Sequence, residues 1–219
     1  MPWQKAVLIL EVNYDIHTGG AFFEEEEGPS EGKLLEEFFR MMAAPYRFFS
    51  IRTPAEMGVL ISRYPAKYVH ISAHGIVDQP TGKLGIEFPF NMKHIVYEMG
   101  QEDDLVETVE ELELHRLYRY LKNRVVFASA CMLGKEQFAR EFVEKSQCEL
   151  FIGANYRAYW YDLAVFSQLF YTSIFRENKN ALQAVKRAKR QYPRLFRGKH
   201  FIEVWKPKIK KPAKKTQSQ

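Results

Sequence analysis

Long apolar runs are missing from this chain. The longest, Ala6 to Leu10 and Val125 to Ala128, fall far short of the ~20 residues that a membrane span needs. Met1-Pro2-Trp3-Gln4-Lys5 leads straight into a predicted strand, with no small-residue cleavage site behind an apolar stretch. A membrane-spanning or secreted protein is therefore not expected. Cysteine is equally scarce: Cys131 and Cys148 are the only two in 219 residues. Two cysteines make neither a disulfide framework nor a cysteine-rich zinc site, and a reducing cytoplasm is the expected compartment. Each thiol is then either core filler or chemistry. Glycine and proline, at 12 and 10, are at ordinary levels, and no internal repeat is present, so collagen-like, low-complexity and solenoid classes fall away.

What is there is a chain that is 46% hydrophobic and long enough for one sizeable core. Its net charge of +5 is unevenly placed. Residues 1–113 carry 20 acidic and 9 basic side chains, and residues 114–219 carry 7 and 23. Such asymmetry implies an acidic face, a basic face or a basic tail.

Strand and helix patterns alternate along the sequence. Strands are expected over 6–12, 46–52, 67–73, 124–130, 150–153 and 201–205, from short β-branched or fully apolar runs. Helices are expected over 33–42, from Thr53-Pro54-Ala55-Glu56 onward, and over 105–121, 134–145, 163–176 and 181–191. Thr53 and Glu56 are spaced as a capping box, and Pro54 suits a first helical turn. Residues 13–32, with Gly19-Gly20, Glu24 to Glu27 and Gly28-Pro29, read as a loop. Residues 76–104 read as irregular, with a small hairpin at 82–88. Residues 206–219 hold six lysines and two prolines and read as a flexible tail. The alternation argues one α/β domain over 1–205, with a mostly parallel sheet, and the basic tail after it.

Open α/β sheets bind ligands at the carboxyl ends of their strands. Two predicted strand ends carry reactive side chains: 67–73 runs into His74-Gly75, and 124–130 runs into Cys131. If these strands are neighbours, an imidazole and a thiol meet at one rim. A thiol becomes nucleophilic beside a histidine or at a helix N-terminus, and His74 can protonate a leaving amine. Acyl transfer also needs donors for an oxyanion. The backbone N–H groups of Gly75 and Cys131 are the natural pair.

Val69-His-Ile-Ser-Ala-His-Gly75 followed by Val125-Val-Phe-Ala-Ser-Ala-Cys131 resembles the paired signature of caspase-like cysteine peptidases, and within them the CHAT family. Gly134 fits the family's Ser-Ala-Cys-x-x-Gly pattern. Phe151 to Asp162, Phe166 to Ile174 and Ala181 to Ala184 resemble its following strand, aspartate-containing turn and two helices. The resemblance spans roughly residues 5–190. It implies a three-layer α/β fold, with a mostly parallel central sheet of about six strands flanked by helices. It further implies a cysteine endopeptidase with Cys131 as nucleophile and His74 as its partner, and no cofactor. Limited proteolysis of a protein substrate, in defence or cell-death signalling, is the activity it suggests, under an activating or sensor partner. The position two before the nucleophile lines the pocket for an acidic side chain in caspases, and is an aspartate for basic side chains in metacaspases. Here it is Ser129, which prescribes neither. Asp162 and Asp15 are candidate pocket acids; the plain reading of Asp162 is a cap for a helix at 163.

Other features have plainer readings. His70, on the same strand face as His74, is favoured as a core or supporting histidine, because no third metal ligand is evident. Cys148 has no histidine motif and is expected to be inert. Glu24 to Glu27 lacks the oxygen spacing of a calcium loop. Tyr156, Tyr159, Trp160 and Tyr161 are candidates for substrate subsites or for core. Residues 179–215 hold 14 basic residues and one acid. That region supports an alternative, a non-catalytic caspase-like interaction module binding an acidic partner or nucleic acid. A solvated face is favoured over it, since no nucleic-acid motif accompanies the charge.

Overall fold

The structure is a computed structural model that describes residues 5–12, 30–77, 84–88, 91–96, 118–192 and 201–207. Residues 13–29 of the predicted loop at 13–32, most of the predicted helix at 105–121 and the tail beyond 207 lie outside the described residues; 118–121 are helical.

Strands β1 (Val7–Val12), β2 (Tyr46–Ile51), β3 (Tyr68–Ser72), β7 (Val125–Ser129), β8 (Leu150–Ala154) and β9 (Ile202–Trp205) form one sheet in the order β2-β1-β3-β7-β8-β9. The first five are parallel, and β9 closes the edge antiparallel to β8. Every residue of β1, β3, β7 and β8 is buried, which is why these strands read as unbroken apolar runs.

Alternation sends their side chains to two cores. On one face, Leu8, Leu10, Val69, Ile71, Val126 and Ala128 meet α2 (Pro54–Arg63) and α3 (Glu136–Ser146) through Ile61, Phe138 and Phe142. On the other, Val7, Ile9, Val125 and Phe127 meet α1 (Glu31–Met41), α4 (Trp160–Phe175) and α5 (Ala181–Gln191) through Phe39, Phe166, Phe170 and Tyr171. The result is the expected three-layer α/β architecture, with six strands of which five run parallel. Arg124 links the layers: its guanidinium donates to Ile61 O at 3.1 Å and Tyr64 O at 3.0 Å, closing the carboxyl end of α2.

The Thr53–Glu56 capping box forms as the spacing predicts. Three expectations need correction. Helix α1 begins at Glu31 rather than 33, because Ser30 caps it and Gly32 is already helical. Part of the stretch read as irregular is a second, antiparallel sheet of β4 (Gly75–Val77), β5 (Leu84–Phe88) and β6 (Asn91–Val96); β5 lies within the expected hairpin at 82–88 but pairs with the strands on either side of it, and its Leu84, Ile86 and Phe88 are buried in the α2/α3 core. Helix α4 begins at Trp160 with Tyr159 as its cap, so Asp162 lies inside the first turn and caps nothing.

Candidate active site

Strands β3 and β7 are neighbours, paired from Tyr68–Val125 to Ser72–Ser129. The ladder runs one step further, with Ala73 N–H donating to Ser129 O at 3.2 Å. His74 and Cys131 therefore leave the sheet side by side at one rim. Gly75 is packed against the backbone of Cys131: a methyl group on Gly75 would lie 1.8 Å from Cys131 O and 2.9 Å from Cys131 N. Only a residue without a β-carbon permits this approach. Both His74 and Cys131 are half-buried.

The thiol has a definite neighbour that the sequence does not announce. Ala158 N–H donates to Cys131 Sγ at 3.4 Å, and Ala158 O lies 3.6 Å from the same sulfur. The one peptide group thus meets the sulfur with both its donor and its acceptor. Helix α3 begins only at Glu136, beyond the turn at 131–134, so the thiol does not sit at a helix N-terminus. Ala158 is a backbone partner on the segment between β8 and α4; no residue-type signal could have pointed to it.

The turn after Cys131 is tightly held. Met132 adopts a left-handed conformation with φ 63°. Its N–H donates to Tyr156 O at 3.2 Å, and Gly134 N–H donates to Ala154 O at 2.7 Å. A β-carbon on Gly134 would come within 2.3 Å of Gly153 O, which is the physical need behind glycine three residues past the cysteine.

Beneath the rim, on the α1/α4 side, lies a buried polar cluster. His70 is fully buried, with Nδ1 3.2 Å from Tyr171 Oη and Nε2 3.4 Å from Glu31 Oε1. Glu31 also accepts from Ser72 Oγ at 2.9 Å and Ser167 Oγ at 3.2 Å. Glu11 accepts from Ser30 Oγ and Gly32 N–H, both at 2.7 Å. Burial pushes the Glu11 carboxyl up, and Glu31 adds to this; Ser30, Gly32 and His70 oppose it. His70 is thus the supporting core histidine it was read to be. Among the described residues no cluster of histidine, cysteine and carboxylate has metal-binding geometry.

The remaining candidates separate. Cys148 is fully buried, and burial pushes its thiol up to about 11. Ser129 is 3% exposed, and its Oγ has no hydrogen-bond partner among the described residues. Asp162 Oδ1 accepts from Tyr192 Oη at 2.8 Å. Asp15 lies outside the described residues. Tyr156, Tyr159 and Tyr161 are 54%, 68% and 48% exposed, with the Tyr159 and Tyr161 rings stacked at 5.2 Å. They flank Ala158 in sequence and are exposed rather than core.

No family model matches the sequence, and no curated protein matches it. Solved structures do. The chain is similar to the crystal structure of drICE, a caspase, with a TM-score of 0.47 at 7% identity, over 93% of this chain and 87% of that chain.

Proposed function

We propose that this protein is a caspase-like cysteine endopeptidase of the CHAT type, acting on a protein substrate by limited, regulated cleavage. The observation that carries the reading is the pairing of β3 with β7, which ends both sequence motifs at one rim with Gly75 against Cys131.

In this reading His74 takes the Cys131 proton, and the sulfur attacks the scissile carbonyl carbon. The carbonyl oxygen becomes an oxyanion held by the N–H groups of Gly75 and Cys131. Collapse breaks the C–N bond, and His74 returns its proton to the leaving amine. Water, deprotonated by His74, then attacks the thioester. The acid product leaves, and the proton goes back to sulfur. The exposed tyrosines beside Ala158 offer apolar faces to the substrate chain before the cut. An activating or sensor partner would supply the regulation.

The test is covalent trapping. Peptide ketone probes with different side chains before the carbonyl are incubated with the full-length protein, and the adduct is mapped by mass. Expected is an adduct on Cys131, lost in Cys131→Ala and reduced at least about a hundredfold in His74→Ala. Equal labelling in wild type and His74→Ala, or no labelling with any probe, overturns the reading and leaves the non-catalytic interaction module in its place.

A further inference from the structure

We propose that Trp205 is a positioning residue for Cys131. The inference rests on the peptidase reading, since it names what holds that reading's nucleophile. The turn at 131–134 is fastened on two sides. Two fastenings are backbone bonds to Ala154 and Tyr156, at and just beyond the end of β8. The third is a side chain from the edge strand: Trp205 Nε1–H donates to Gly134 O at 2.9 Å. Its backbone is in turn paired opposite Phe151, and its ring packs on the α2/α3 core. The indole is therefore fixed at both ends, and what it fixes is the turn.

The turn needs fixing. Met132 is held left-handed, a conformation that strains a residue with a β-carbon and persists only where the surroundings over-determine it. Without the Trp205 bond, Gly134 O loses its side-chain donor, and the turn is held by the backbone bonds of Met132, Gly134 and Lys135 alone. Cys131, at the head of that turn, is then held less rigidly against Ala158. Trp205 touches no reacting atom; it acts through Gly134.

The experiment uses the full chain with Trp205 replaced by benzothienylalanine, the same ring shape with sulfur in place of the N–H, and in parallel by Trp205→Phe. Two quantities are read. The first is the rate of Cys131 alkylation by iodoacetamide at a fixed pH. The second is the division of peptide-ketone labelling into its maximal rate and its half-saturating concentration. Loss of the one bond should change the alkylation rate at least about threefold and lower the maximal rate about tenfold. The half-saturating concentration should stay within about twofold and the melting temperature within a few degrees. An unchanged alkylation rate and maximal rate in the folded isostere overturn the proposal, as does a fall in melting temperature alone. If iodoacetamide reacts at Cys131 but no peptide ketone does, the peptidase reading has failed, and the alkylation rate still decides for or against Trp205.

Discussion

The two cysteines show how one residue type takes opposite roles in one chain. Cys131 sits half-exposed at the end of a strand, with an amide on its sulfur. Cys148 is sealed in the core, where desolvation keeps it a thiol at every ordinary pH. Iodoacetamide near pH 8 should therefore modify Cys131 and spare Cys148 in the native protein, and modify both in strong denaturant; peptide mapping reads the outcome. Gly75 is the second residue whose identity is fixed by contact. Gly75→Ala must push the backbone of β4 away from Cys131, a displacement on the order of an ångström. Peptide-ketone labelling should fall about a hundredfold while the far-ultraviolet circular dichroism is kept. At this scale the strand-end places of His74 and Cys131 were legible in the sequence, and so were Gly75 and Gly134, whose type close packing dictates. Ala158 was not, because it acts through its peptide group, which every residue but proline carries.

At the scale of elements, helix α1 is the instructive case. Its amino end is fastened to β1 through a single carboxylate, with Glu11 accepting from both Ser30 and Gly32. The sequence showed Glu11 as one acid at the end of an apolar strand, and the run around Gly28-Pro29 as breakers. Neither pattern reveals a cap supplied from a different element, so the helix start was read two residues late. This fastening is pH-sensitive. The folded Glu11 carboxyl is raised above its ordinary 4.5 by burial, with Glu31 adding and His70, Ser30 and Gly32 opposing. The folded state thus holds this proton more tightly than the unfolded chain, and its contribution to stability falls as pH rises from about 4.5 through the folded value. Replacement by glutamine removes that loss. The melting temperature of Glu11→Gln relative to wild type should therefore move in the variant's favour between about pH 4 and pH 7, and a constant difference would count against it. The second sheet, β4 to β6, was missed for another reason. Its strands are short and polar at their joins, and β5 is distinguished by its packing into the α2/α3 core rather than by its own periodicity.

For the whole molecule, the alternation of strand and helix signals was enough to state a mostly parallel sheet of about six strands between helical layers. Strands buried on both faces are hard to mistake, and the order β2-β1-β3-β7-β8-β9 places the two reactive strand ends next to each other. That adjacency was the one condition the sequence could state but not decide, since nothing in a single chain says which strands pair across an intervening stretch. The charge asymmetry remains a property of the whole. Lys186 and Arg190 are exposed on α5, while Arg187 is paired with Glu177 at 2.5 Å, so part of the basic excess is already neutralised within the fold.

The pairing of Tyr68 with Val125 also sets an order in time. Contacts between segments so far apart in sequence form late, after the entropy of closing the intervening chain has been overcome. As the chain emerges from a ribosome, β1, β2 and β3 can assemble while the cysteine has yet to be translated. A truncated or half-folded product then carries the histidine rim without its thiol. On the peptidase reading, the two reacting groups come together only once the whole sheet has closed.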